Sequence, residues 1–160
     1  MRGFEPADLD AYAEMMADAE VTLYISDRKP LTRAEAWRQM AIFTGHWVLR
    51  GYGIWVVEER ATGKFLGRIG FWEPEGWPGF ELAYSLARPF WGQGFAREGA
   101  RAALSYAHDT LGRSDIISLI RPENAGSIRV AEALGAARAR TIDLLGAPAF
   151  EYRYPTTATG

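Results

Sequence analysis

The strongest chemical signal in the chain is the run Tyr84-Ser85-Leu86-Ala87-Arg88-Pro89-Phe90-Trp91-Gly92-Gln93-Gly94-Phe95-Ala96. The alternation of Phe80 to Leu86 predicts a strand, two glycines follow it closely, and a helix is expected to open at Gly94 or Ala96. Gly92 and Gly94 let main chain approach a ligand with no side chain between them, and a helix start adds unpaired N–H groups and a positive dipole end. A strand, a glycine turn and a helix in that order hold phosphate, so an anionic cofactor is expected here. Glu81 lies on the same strand; Leu82, Tyr84 and Leu86 share one face of it, and Glu81, Ala83 and Ser85 the other.

Composition narrows the chemistry. The chain has no cysteine, which excludes thiol nucleophiles, zinc-thiolate sites and disulfides, and its two histidines, His46 and His108, are too few for a histidine-rich metal cage. No metal site is expected. The start Met1-Arg2-Gly3-Phe4-Glu5 has no apolar run behind its charge, and no later segment has the length of a bilayer span, so a soluble cytoplasmic protein without a membrane partner is expected. A formal charge of −2 argues against nucleic acid as partner. That mean hides an asymmetry: between Arg88 and Arg129 stand six arginines and four acids, so the positive share gathers around the glycine turn.

The elements that must position these residues follow from periodicity and caps. At 160 residues and 48% hydrophobic content, a single domain over residues 1–155 is expected, with a flexible tail at 156–160. Pro6 to Met16 reads as a first helix with Leu9, Tyr12, Ala13 and Met16 on one stripe. A second, Thr32 to Thr44, opens on a Thr32/Glu35 capping box and buries Ala36, Met40 and Phe43. Ile54–Glu58 and Phe65–Phe71 flank a turn at Ala61–Lys64 as a hairpin. The helix after the glycine turn carries Ala100, Ala103, Leu104, Ala107 and Leu111 on its buried stripe. Ile116–Ile120 is a short apolar strand; Asn124 caps a helix that Gly135 ends; strands over 138–144 and 149–154 pair across Leu145-Gly146-Ala147-Pro148. The strand-helix-strand step around the glycine turn implies one parallel pair in a sheet otherwise built from antiparallel neighbours.

Two segments in that order, Trp91-Gly92-Gln93-Gly94-Phe95-Ala96 and Pro122-Glu123-Asn124-Ala125-Gly126-Ser127-Ile128-Arg129-Val130-Ala131-Glu132-Ala133-Leu134-Gly135, resemble the two signature segments of the GCN5-related N-acetyltransferases (GNAT superfamily). Within it the chain is most similar to the ribosomal-protein N-terminal acetyltransferase (RimJ/RimL-like) branch, which the early segment Arg2 to Asp10 also resembles. The resemblance implies an α/β (α+β) GNAT fold: a mixed, mostly antiparallel twisted sheet of six to seven strands with helices on both faces, one parallel pair splaying to admit acetyl-CoA. It implies that the pyrophosphate sits on the amides of Gly92 to Ala96 (Gly92, Gln93, Gly94, Phe95, Ala96) after Trp91. It places the pantetheine beside Ser85 and Leu86, and Asn124 and Ser127 toward the pantetheine and sulfur. The chain departs from the family pattern at Trp91, where Gln or Arg is common, at Ala131, where many relatives carry a general-acid tyrosine, and at Ala136, where an aromatic is usual. The family's first strand is also expected to be short, because the chain opens at Met1-Arg2-Gly3.

The chemistry so implied is acetyl transfer from acetyl-CoA to a primary amine by direct attack in a ternary complex; with no cysteine, no acetyl-cysteine can form. Glu81 is the candidate base, and Ser127 the donor to the departing sulfur in place of the missing tyrosine, with a backbone N–H near Leu82 or Ala83 on the carbonyl oxygen. Each has a plainer alternative: a solvated strand glutamate for Glu81, and a helix first-turn role for Asn124 and Ser127. The acceptor is left as a small-molecule amine or a peptide N-terminus, with Trp47, Trp55, Trp72, Trp77 and Tyr24 as pocket aromatics, Trp72 and Tyr24 foremost, and Glu73 and Glu75 as attractors of an ammonium group. A non-catalytic acyl-CoA-binding or sensing module is the alternative, motivated by Ala131. A homodimer over the sheet edge left by the short first strand is the remaining expected partner.

Overall fold

The computed structural model describes residues 1–25 and 28–156. Its helices are α1 (Leu9–Ala17), α2 (Ala19–Thr22), α3 (Arg33–Arg50), α4 (Phe95–Asp109) and α5 (Ala125–Ala133). The strands are β1 (Ile54–Glu58), β2 (Phe65–Trp72), β3 (Phe80–Leu86), β4 (Ile116–Ile120), β5 (Ala137–Leu144) and β6 (Ala147–Arg153). They form one mixed sheet in the order β1-β2-β3-β4-β6-β5. β3 and β4 are its parallel pair, whereas β1/β2, β4/β6 and β5/β6 are antiparallel. The order of α-helices and strands is the expected one with one added helix, the one-turn α2, which Asp18 caps by accepting from the Glu20 amide at 3.0 Å; 3-10 turns at Pro6–Asp8 and Arg88–Phe90 complete it. Of the expected tail, 157–160 lie outside the described residues. The chain divides into two compact units, residues 1–70 with 84–96, and residues 71–83 with 97–160.

In the first unit Tyr12, Met16, Phe43, Ile54, Val56, Leu66 and Ile69 are buried together from α1, α3, β1 and β2. Phe4 closes this core, its ring edge-on to Tyr12 at 5.2 Å and stacked on Phe43 at 5.9 Å. α3 starts on the expected capping box, but it runs past Thr44 to Arg50 and stops only at Gly51, whose φ of 75° needs glycine. Gly45 inside it is tolerated because a lone mid-helix glycine costs only about 1 kcal/mol. The expected short first strand is reduced to a single antiparallel bridge between Arg2 and Val56. Arg2 also forks onto Asp8 at 2.7 and 2.8 Å and reaches Glu58 at 2.6 Å. Burial pushes the Asp8 carboxyl up, but the Arg2 guanidinium and the Glu5 amide outweigh it and hold it below the usual range.

In the second unit Phe71 stacks on Phe80 at 4.3 Å, and the Arg113 guanidinium lies 4.2 Å from the Phe80 ring while pairing with Asp115 and Glu73. α4 buries Gly99, Ala100, Ala103, Leu104 and Ala107; Ala100, Ala103, Leu104 and Ala107 are the stripe read from the sequence, whereas Leu111, expected to continue it, lies past the helix end at Asp109 and is half-buried. β5 and β6 join through Leu145 and Gly146, both at positive φ (54° and 77°), a two-residue turn whose twist suits the strands. The buried Arg121 holds that turn by donating to the carbonyls of Leu144, Ala147 and Pro148. Glu151, 1% exposed, accepts from Arg140 and Arg153 at 2.7 Å each; burial pushes it up, and the two guanidinium groups win and hold it low.

Candidate active site

The first unit carries the glycine loop. After Leu86 the chain makes a 3-10 turn, Arg88–Phe90, then passes Gly92 at φ 74° and Gly94 at φ 89° into α4. Its own side chains brace it: the Trp91 indole donates to the Leu86 carbonyl at 2.7 Å, and the Gln93 amide donates to the Pro89 carbonyl at 2.7 Å. Phe90 meets Phe95 edge-on at 6.4 Å beneath the Lys64 ammonium, 5.0 Å from the Phe90 ring. Among the described residues, none of the amides of Gly92, Gln93, Gly94, Phe95 or Ala96 donates to an acceptor outside the helix. A Cβ built on Gly92 or Gly94 meets nothing within 4 Å, so the space beside these two glycines is open. Open amides at the start of a 15-residue helix fit an anionic group such as a diphosphate. Leu86 is buried and Ser85 half-buried on the strand leading into this loop.

The arginines gathered around the loop in sequence have separate duties. Arg88 pairs with Asp18 at 2.8 Å, Arg113 with Asp115 and Glu73, and Arg121 with three carbonyls. Arg97, Arg101 and Arg129 are exposed and make no ion pair among the described residues.

The second unit carries the start of the β3/β4 fork. The parallel register pairs Phe80 with Ile116 and Glu81 with Ile117, and stops there. Since the Ile116 carbonyl accepts from the Tyr154 amide of the β6 side at 3.1 Å, alternation turns the backbone groups of Ile117 and Leu119 toward β3. One more regular step would join the Leu119 N–H to the Leu82 carbonyl. Side chains take both groups instead. The Leu119 N–H donates to Glu81 Oε1 at 3.3 Å, and Ser118 Oγ donates to the Leu82 carbonyl at 2.6 Å. With its one proton spent there, Ser118 Oγ accepts from the Tyr154 hydroxyl at 3.0 Å. Glu81 Oε2 accepts from the Trp77 indole at 2.7 Å. Glu81 is 8% exposed, so it is a buried, hydrogen-bonded carboxylate and not a solvated strand residue.

At the start of α5, Asn124 Oδ1 accepts from the Ser127 amide at 3.1 Å, so the Asn124 side chain performs the capping role. Ala131 is fully buried and Ala136 nearly so, on the helix and just past it. The aromatics considered for an acceptor pocket divide as well. Trp47 packs edge-on to Trp55 at 5.2 Å and donates to the Ile54 carbonyl at 2.9 Å, and the Trp77 indole donates to Glu81. Trp72 and Tyr24 are half-buried, and Glu73 pairs with Arg113 at 3.4 Å. His46 is buried, its Nδ1–H donating to the Tyr52 carbonyl at 2.9 Å. Sequence reasoning missed Ser118 and Tyr154. The available signal was one hydroxyl residue on the buried face of the apolar strand Ile116–Ile120. Among the described residues no group of three or more His, Asp or Glu side chains could hold a metal ion, and no helix is long and apolar enough to cross a membrane.

A family profile described as an acetyltransferase (GNAT) domain matches residues 1–137. The chain is 36% identical over 132 residues to the uncharacterised protein YkkB of Bacillus subtilis (strain 168), covering 78% of this chain and 73% of that protein. It is 30% identical over 139 residues to the uncharacterised N-acetyltransferase p20 of Bacillus licheniformis, covering 84% and 76%. Among solved structures, an acetyltransferase from Agrobacterium tumefaciens str. C58 superposes with a TM-score of 0.85 at 27% identity, covering 96% of this chain and 88% of that one.

Proposed function

The chain belongs to the GNAT acetyltransferase family, and on that premise we propose that residues 1–155 act as one N-acetyltransferase domain that moves an acetyl group from acetyl-CoA to a primary amine by direct attack in a ternary complex. The observation that carries the proposal is the row of open amides from Gly92 to Ala96 at the head of α4. These amides, following Trp91, would hold the diphosphate; Ser85 and Leu86 would line the pantetheine, and Asn124 and Ser127 the pantetheine and sulfur. When bound, acetyl-CoA supplies an activated acyl group on sulfur.

The chain's own residues do the rest. A primary alkylamine with a pKa of about 10 is mostly protonated at neutral pH, so its proton must be drained before attack. Glu81 takes that role. Trp77 and Leu119 each donate an N–H to it, one to either oxygen, which orients the carboxylate on the strand. Ser127 donates to the departing sulfur, and the absence of any cysteine leaves no thiol to carry the acetyl group. The acceptor is a peptide N-terminus or a small-molecule amine, presented near Trp72 and Tyr24.

The test is thiol release from acetyl-CoA across an amine panel, followed by initial-rate kinetics on the best acceptor. Intersecting double-reciprocal lines are expected, with Glu81→Gln lowering kcat by roughly 100-fold or more and Ser127→Ala by roughly 10-fold. Parallel lines or an acetyl-enzyme found by mass spectrometry would overturn direct transfer. Tight acetyl-CoA binding with no thiol release from any amine would establish instead a non-catalytic acyl-CoA sensor, the alternative motivated by alanine at position 131 where many relatives carry tyrosine.

A further inference from the structure

The fork of β3 and β4 is held by side chains, and the arrangement is economical. Parallel strands that separate leave one donor and one acceptor without their ladder partners, and buried backbone groups left so are costly. Here the donor is the Leu119 N–H and the acceptor is the Leu82 carbonyl. Glu81 takes the first, 3.3 Å away, and Ser118 takes the second, 2.6 Å away. Neither group then gains anything by bonding to the other. Ser118 is 2% exposed and Tyr154 is buried, so no water is needed to complete the cap. With the serine proton on the Leu82 carbonyl, Ser118 Oγ accepts from the Tyr154 hydroxyl at 3.0 Å, and this second contact holds the Ser118 rotamer.

We infer that Ser118 and Tyr154 are positioning residues: by keeping the Leu82 carbonyl out of the backbone ladder they set the residue at which β3 parts from β4, and so keep the strand backbone at the fork in place for the reacting thioester. This rests on the acetyl-CoA reading above. It deepens that reading because the stretch of β3 they hold is the one near which, at Leu82 or Ala83, a backbone donor to the carbonyl oxygen is expected. Neither residue touches the reacting atoms. Without Ser118 Oγ the Leu82 carbonyl is a buried orphan, and the donor that the next regular ladder step would supply is the Leu119 N–H. The ladder then closes by one step and the fork moves along the strands.

Three variants test this, Ser118→Ala, Ser118→Thr and Tyr154→Phe, each with its folding checked by thermal melting. In a crystal structure of Ser118→Ala without ligand, Leu119 N is expected to lie about 3 Å from the Leu82 carbonyl oxygen. With acetyl-CoA and the best acceptor of the panel, kcat is expected to fall roughly 10- to 100-fold, while the affinity for free CoA by calorimetry stays within about 3-fold. Ser118→Thr keeps the hydroxyl and should recover kcat to within about 3-fold, with Tyr154→Phe between the two. The inference is overturned if Ser118→Ala leaves Leu119 on Glu81 and kcat intact, if Ser118→Thr is as impaired as Ser118→Ala, or if CoA affinity falls in step with kcat. Wild-type protein that binds no CoA brings down the acetyl-CoA reading itself, and the positioning role with it, whatever the ligand-free structures show.

Discussion

Replacing Gly94 by alanine separates what the glycine loop does for the fold from what it does for a ligand. Gly94 has φ 89° and Gly63, in the β1/β2 turn, has φ 69°; a Cβ at either position meets nothing within 4 Å. Gly94→Ala and Gly63→Ala therefore cost backbone strain and no collision. Holding an L-residue at positive φ costs roughly 1–2 kcal/mol, which for a chain of this size lowers Tm by roughly 2–8 °C in both variants. Only at Gly94 does the new methyl stand over amides proposed to hold a diphosphate. Losing one hydrogen bond to a charged group costs roughly 1.5–3 kcal/mol, so CoA affinity should fall roughly 10- to 150-fold in Gly94→Ala. Gly63→Ala should bind as wild type does. The assay is calorimetric titration with CoA, with melting curves of both variants alongside. Equal CoA affinity in Gly94→Ala and wild type would refute the nest, and equal losses in both variants would show that strain alone is being measured.

Further outcomes follow from the packing. Gly67→Ala should destabilise severely, by roughly 3 kcal/mol or more, because its Cβ would stand 2.3 Å from the Ser85 carbonyl oxygen and 2.6 Å from Leu86 Cα at a φ of 152°; a Tm within about 3 °C of wild type would contradict this. Acid should unfold the protein through Asp8, Asp115 and Glu151, whose carboxyls are all held below their ordinary values. Their contribution is complete above the unfolded-state values near pH 4 and is lost as pH falls through the lower folded-state values. Urea midpoints should thus stay flat from about pH 7 to 5 and drop below about pH 4. Arg153→Ala should flatten that drop, and a midpoint indifferent to acid would exclude the linkage.

What the sequence determined by itself is local. The capping box at Thr32 and Glu35, the small-residue stripe of α4, the Asn124 cap, the end of α5 before Gly135 and the two hairpins were all legible, because caps, positive φ and periodicity act over a few residues. The glycine loop was legible for the same reason. The one-turn α2 and the far end of α3 were not, since a short helix has no period to read and a mid-helix glycine looks like a stop. Tertiary structure alone decided the partners of Glu81, Arg113, Arg121 and Ser118. The bonds from Leu119 to Glu81 and from Ser118 to Leu82 span 38 and 36 residues and exist only because β3 and β4 pair in one register. A slip of one residue would turn Ser118 to the opposite face of the sheet, and nothing local to either strand specifies against it.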